Sequence, residues 1–297
     1  MKLSDSTKES YADAVSRFEQ TLDNTSLSEV SDFQLEKYIK DMHNEDYSSG
    51  HITKEYYALR KFYDTMYDRD VMADLEISKW KNVKSGTKRS QVGGEHGIYA
   101  LEPEEVQKLI DNVPTPTLRN ELMIRLAYQT GLRRSEIVNI KLRDIDTDKR
   151  SIHIPAIKSK EPRTVYYQPT LQTTLRIWIE SDRNAVFMAE DSPYLFPTTE
   201  SEKMFEGTYA DMVRETAKEA GIQEELFTDN AGNTRNKVTS HTLRHTYAVQ
   251  AVKNGMGIRM LQELMGHESI EITEVYLKIA GEHVKNAAYE HGPSLQS

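Results

Sequence analysis

From Ser85 to Gly97 the hydrophobic pattern that organises the rest of the chain stops, and the sequence turns to Gly86, Gly93, Gly94 and Gly97 set among Ser, Lys and Gln. Glycine leaves the backbone unrestrained and short polar side chains bury little, so this composition belongs to an exposed linker. A chain interrupted in this way folds around two cores rather than one, and 297 residues suffice for both. The expected organisation is a domain over residues 1–84, a linker over 85–98 and a larger domain over 99–297.

The first domain reads as helical. Tyr11, Val15, Phe18 and Leu22 recur at helical spacing, and Tyr56, Leu59, Phe62, Tyr63 and Met66 do so again. In the larger domain Pro103 opens a helix, with acids behind it and Val106, Leu109 and Ile110 along one face; a further apolar helix runs from about Leu118 to Tyr128 and stops at Gly131. The period then changes. Ile152 and Ile154 alternate with polar neighbours, Ser159-Lys160-Glu161-Pro162 interrupts, and Thr164-Val165-Tyr166 resumes, which predicts strand, turn and strand. Helical patterns return to the end, apart from a polar loop near Thr228 to Lys237, and no internal repeat is found. The expected fold class is mainly α with a small antiparallel β-sheet.

The chain has no cysteine, which removes disulfides, thiolate metal sites and a Cys nucleophile and leaves oxygen and nitrogen groups to do any chemistry. No apolar run approaches the length of a membrane span, and Met1-Lys2-Leu3-Ser4-Asp5 lacks the apolar stretch of a secretory signal, so a cytoplasmic protein without a membrane partner is expected. A net charge of -9 speaks against a nucleic-acid partner. Phosphate contacts, however, need only a local concentration of Lys and Arg. Lys79, Lys81, Lys84, Lys88 and Arg89 form one such run without an acid among them, and a second basic cluster extends from Lys141 to Arg163. The first run is the candidate DNA contact, although a solvated face would read the same way.

Five segments of the larger domain are richer in Arg, His, Lys and Tyr than a packed core requires. In Thr130-Gly131-Leu132-Arg133-Arg134-Ser135-Glu136, Gly131 ends one helix and Ser135 is placed to cap the next. Lys158 lies in the turn between the two strands. In Ser240-His241-Thr242-Leu243-Arg244-His245, residues 241, 244 and 245 share a helical face that is costly to bury without an anion. Gly266 ends a helix containing Ile258, Leu261 and Leu264 and leaves His267 on the following loop. Tyr276 lies among Ile272, Val275 and Ile279 at helical spacing, which also suits an ordinary core tyrosine. His241 and His245, at i and i+4, have the spacing of the paired ligands of zinc proteases, but Thr242, Leu243 and Arg244 between them supply no acid and Arg244 repels a cation.

Taken together and in order, Arg133, Lys158, His241-x-x-Arg244, Gly266-His267 and Tyr276 resemble the catalytic signature of the tyrosine recombinase (phage integrase) family. The resemblance rests on a Thr-Gly-Leu-Arg-x-Ser-Glu box, a His-x-x-Arg-His box and a Met-Gly-His box with a Tyr nine residues after its His. Met265 stands where Leu is usual, and Leu277-Lys278 replaces the commoner Thr-His. The resemblance implies a helical core-binding domain and a catalytic domain that together clamp DNA. It implies Tyr276 as nucleophile forming a 3′-phosphotyrosyl link, Arg133 and Arg244 on the phosphate, Lys158 as general acid, His241 as proton acceptor and His267 as hydrogen-bond donor. Glu136 would orient its neighbours and His245 would contact DNA. No metal, ATP or other cofactor is implied. The partners would be double-stranded DNA carrying inverted-repeat recombination sites and further copies of the chain, as a homo-tetramer on two sites with Val284–Tyr289 docking on a neighbour. Type IB topoisomerase-like relaxation and a non-catalytic DNA-binding module remain the alternatives.

Overall fold

The structure, a computed structural model, describes residues 5–23, 25–45, 47, 49–77, 98–156, 161–228, 234–267 and 269–279. The chain divides into two compact units, the first holding the helices before residue 78 and the second the helices and main sheet after residue 97. Among the described residues no helix is long and apolar enough to cross a membrane.

The first unit contains α1 (Asp5–Glu19), α2 (Asp32–Asn44) and α3 (Ser49–Tyr67). Ser31 caps α2, with its hydroxyl and the Gln34 side chain satisfying each other's backbone N–H groups. The core joins Val15 and Phe18 to Leu35, Ile39, Leu59 and Tyr63. Helical spacing overreached at two residues: Leu22 lies beyond the end of α1, though it still packs on this core, and Met66 faces solvent. Arg17 neutralises the fully buried Glu55.

The second unit opens with α4 (Pro103–Asp111) and α5 (Thr117–Thr130), which ends as expected at Gly131 in the left-handed conformation, φ 62°. Next comes α6 (Arg134–Val138). Arg133, not Ser135, occupies its N-cap; the Glu136 carboxylate accepts the Arg133 backbone N–H and fixes the helix start ahead of where a serine cap would put it. The three-stranded antiparallel sheet runs in the order β1 (Ile145–Asp146), β2 (Ser151–Ile154), β3 (Arg163–Tyr166), with Ile152 opposite Val165. It is followed by α7 (Pro169–Glu180) and α8 (Glu206–Glu219).

The region expected to be a polar loop is bounded instead by two paired strands, β4 (Glu225–Thr228) and β5 (Thr234–Asn236). β5 is all polar and the Leu226-Phe227 pair of β4 is consecutive rather than alternating, so backbone pairing defines them. The chain ends its described course in α9 (Ser240–Lys253), α10 (Ile258–Met265) and α11 (Glu271–Ile279). The α9 helix is buried on several sides: Leu243 belongs to the main core with Leu122, Leu126 and Val165, whereas Ala248, Val249 and Val252 pack with Leu261, Met265 and Tyr276 in a second cluster. Tyr276 is thus packed by α9 and α10, while Ile272 of its own helix is half exposed.

Two glycines test how tightly this arrangement is specified. A Cβ on Gly131 would run into the Tyr247 ring, whereas one on Gly221, also left-handed at φ 68°, would meet open space. Gly221→Ala should cost the roughly 1–2 kcal/mol of a left-handed alanine. Gly131→Ala should cost clearly more in denaturant unfolding, and equal losses would show that Tyr247 moves aside freely.

Candidate active site

The C-terminal end of a helix leaves carbonyl oxygens without intrahelical partners and carries the negative pole of the helix dipole. At the end of α10, Gly266 adopts the left-handed conformation at φ 61°, and three successive carbonyls each accept a hydrogen bond from a different arginine. Leu264 O accepts from Arg163 Nε at 2.8 Å, Met265 O from Arg244 Nη2 at 2.7 Å and Gly266 O from Arg133 Nη2 at 2.8 Å. Arg244 Nη1 also donates to Gly131 O at the end of α5, so the two helix ends are joined through one guanidinium. Sequence spacing explains this only in part: Gly131 and Gly266 stop two distant helices, and tertiary packing brings the stops together.

Glu136 sits at the centre of the cluster. Its carboxylate accepts from Arg133 N at 2.8 Å, Arg133 Nη1 at 3.0 Å, Arg163 Nη1 at 2.9 Å and Arg163 Nη2 at 2.8 Å. Burial by itself would raise the carboxyl, but the hydrogen bonds and charge of Arg163, followed by those of Arg133, outweigh it and hold Glu136 below the ordinary carboxylate range. One carboxylate therefore faces a cluster of three guanidiniums. Among the described residues no carboxylate pairs with Arg244, which is 5% exposed and bound only to carbonyls. Burial and then the Arg133 charge push its guanidinium down to about 9, still protonated at neutral pH. An excess of buried positive charge held by neutral acceptors suits an anion.

The tyrosine and histidines lie beside it. Tyr276 is 3% exposed, and its hydroxyl is 2.8 Å from His245 Nδ1. The His267 ring stacks on Tyr276 with centroids 6.4 Å apart and planes 16° from parallel, and its Nδ1 is 2.9 Å from Thr273 Oγ1 on α11. Burial raises the Tyr276 phenol above its ordinary value, and the nearby Arg244 charge opposes that rise. Burial, then His241 and Arg244, lowers His245 to about 4. A neutral imidazole therefore faces a neutral phenol across one hydrogen bond, whose direction is set by the imidazole tautomer. His241 opens to solvent one turn earlier on α9; desolvation and then the charges of Arg134, Arg244 and Arg133 keep it below the ordinary imidazole value. That positive surround is a poor place for a cation, and among the described residues no three His, Asp or Glu side chains converge as a metal site.

The structure thus brings Arg133, Glu136, Arg244, His245, His267 and Tyr276 into one neighbourhood. It places His245, expected to contact DNA, rather than His241 against the tyrosine hydroxyl. Lys158 and the run Lys79, Lys81, Lys84, Lys88 and Arg89 lie outside the described residues, as do the greater part of the expected linker and Val284–Tyr289. Arg163 is the residue that sequence reasoning left inside a basic cluster without a role. Its position two residues before the buried Val165 gave a signal, because period two puts both on one face of the strand.

The sequence profile of the phage integrase family matches residues 100–283. A tyrosine recombinase XerA of Pyrococcus furiosus is 33% identical over 191 residues, covering 63% of this chain and 60% of the relative. A tyrosine recombinase XerC of Listeria welshimeri is 24% identical over 291 residues, 97% of this chain and 91% of the relative. The chain thus matches about 60% of the length of its archaeal relatives. Among solved structures, a transposon Tn1549 integrase bound to transposon right-end DNA covers 99% of this chain at a TM-score of 0.68 and 18% identity, with 95% of its own length matched. The XerA recombinase crystal structure covers the same shares at 0.55 and 23%. These likenesses establish the shared fold.

The depressed imidazole makes stability depend on pH with a definite sign. An unfolded His245 titrates near 6.5 and the folded one near 4, so between these values acid protonates the unfolded chain first. Stability should therefore rise with pH from about 4 to 6.5 and level off above. His245→Asn should show a shallower loss between pH 6.5 and 4.5 in denaturant melts, and parallel curves would show that His245 titrates normally.

Proposed function

The chain belongs to the phage integrase family, and on that premise we propose that it is a site-specific DNA recombinase that cleaves and rejoins duplex DNA through a 3′-phosphotyrosyl bond to Tyr276, without metal or ATP. The observation that carries this reading is the pairing of Arg133 and Arg244, fixed on the end of α10 close enough to Tyr276 for the Arg244 charge to act on its hydroxyl. A scissile phosphate is the anion such a pair fits, because planar guanidiniums match two phosphate oxygens and stay charged as the transition state gathers charge.

In this reading the Tyr276 oxygen attacks phosphorus, its proton passes to a neighbouring imidazole or to water, and the 5′ oxygen leaves with a proton from Lys158. The bond energy is kept in the phosphotyrosyl link, so rejoining is the same step reversed. An ordinary tyrosine at neutral pH would need roughly 4 kcal/mol to ionise, which is why proton transfer must accompany attack beside two positive charges. His267, stacked on Tyr276, is assigned as a donor to the phosphate, and His241 or His245 as the acceptor of the phenolic proton; the contact at Tyr276 favours His245. Residues 1–84 would be the core-binding domain, 85–98 the linker and 99–297 the catalytic domain, together clamping the DNA. The solved relatives bound to transposon-end, difH and core-site DNA support DNA recombination sites as substrate; a homo-tetramer on two inverted-repeat sites is what the family resemblance implies.

The test uses duplexes tiled across the DNA flanking the gene, nicked so that a cleaved strand is lost and the adduct trapped. Wild type should leave a denaturant-resistant protein–DNA adduct in excess EDTA. Lys158→Ala should lose most of this adduct on ordinary DNA and recover it where the bridging 5′ oxygen is sulfur, since a thiolate leaves without a proton. Cleavage abolished by EDTA and restored by a divalent ion would overturn the reading, and equal loss on both substrates would remove Lys158 as the acid.

A further inference from the structure

Arg163 takes part in none of the steps above, yet its guanidinium is as fully engaged in the site as that of either phosphate-binding arginine. It grips Glu136 through two parallel hydrogen bonds of 2.9 and 2.8 Å, while Nε holds Leu264 O at 2.8 Å. Packing leaves little freedom around it: a Cβ added to Gly266 would lie 3.0 Å from Nη1. Glu136 accepts four hydrogen bonds, two from Arg163 and two from Arg133, which is about the full capacity of a carboxylate.

Charge balance gives this arrangement a purpose. Glu136 needs one positive partner, and Arg163 provides it in the bidentate geometry that is strongest for a carboxylate. Arg133 then meets Glu136 through its backbone N–H and Nη1 only, with Nη2 on Gly266 O, and retains further N–H groups and its net charge. Without Arg163, a buried carboxylate would lose half of its hydrogen bonds, and Arg133 would be the guanidinium left to satisfy it. Each N–H turned toward Glu136 is one turned from the phosphate.

We propose that Arg163 is a positioning residue for DNA strand cleavage: it cancels the charge of Glu136 and anchors the end of α10, and thereby keeps Arg133 available to the scissile phosphate. This rests on the recombinase reading. It assigns to β3, the strand that follows Lys158 in sequence, a part in the reaction, carried through Glu136 rather than by contact with DNA.

The test compares wild type, Arg163→Ala, Arg163→Lys and the double variant Glu136→Gln/Arg163→Ala. The readouts are adduct formation at saturating trapped duplex, DNA affinity, and the same rate on a duplex whose scissile phosphate is an uncharged methylphosphonate. Residues that orient metal ligands cost roughly tenfold to a hundredfold when lost, and the same scale is expected for one that orients a phosphate-binding arginine. Arg163→Ala should lose that much in rate while its DNA affinity holds, Arg163→Lys should recover part, and the double variant should exceed Arg163→Ala because the uncompensated carboxylate is gone. The loss should shrink on methylphosphonate, where no phosphate charge awaits Arg133. A merely structural role predicts equal loss on both substrates and no rescue by Glu136→Gln, and that result would overturn the proposal. If Arg163→Ala does not melt cooperatively, the ratio between the two substrates in Arg163→Lys decides in its place. Wild type that forms no adduct refutes the recombinase reading itself; an active wild type with an unimpaired Arg163→Ala refutes this proposal alone.

Discussion

Three arginines on the last carbonyls of one short helix are the interaction from which the rest of the site follows. Carbonyl oxygens at a helix end attract cations and hold them in direction without neutralising them. Arg133, Arg163 and Arg244 come from the N-cap of α6, the start of β3 and the second turn of α9, and they end on Gly266, Leu264 and Met265 respectively. The cost of collecting so much positive charge below the surface is met in part by Glu136 and in part by these dipoles. What is left over is a positive field with its donors already aimed, the condition under which a charged transition state is stabilised without reorganisation.

Burial, and after it the same field, sets the protonation states around Tyr276. Burial first, and positive neighbours after it, disfavour imidazolium at His241 and His245, so both rings are neutral at ordinary pH. Burial disfavours phenolate at Tyr276, and the Arg244 charge works in the other direction. The resting contact is therefore a neutral hydrogen bond between the tyrosine hydroxyl and His245, beside an apolar cluster of Ala248, Val249, Leu261 and Met265.

Much of this was legible from local sequence because the stops are local. Pro103 opens a helix, Gly131 and Gly266 end two, and Ile152 and Ile154 announce a strand; each signal acts within a few residues. The ordered boxes around Arg133, His241, Arg244, His267 and Tyr276 then pointed to the chemistry. What escaped depended on partners distant in sequence. Arg163 looked like surface charge until Glu136 and Leu264 were beside it, and His245 looked like a DNA contact until α11 brought Tyr276 to it. Helical spacing grouped Tyr276 with Ile272, but burial is decided by α9 and α10, which leave Ile272 half exposed. β1 and β5 are too short to carry a periodic signal, and β4, with Leu226 and Phe227 side by side, does not alternate.

The central claim is that the anion site serves one particular oxygen. The chain has 16 tyrosines, and Tyr276 is held between two histidines at the edge of the arginine cluster. Phe in its place keeps the ring and its contacts and removes only the hydroxyl. Peptide mapping of the denaturant-resistant adduct should find the phosphodiester on residue 276, and Tyr276→Phe should bind the same duplex and form no adduct. An adduct on another tyrosine, or one that persists in Tyr276→Phe, would contradict the account.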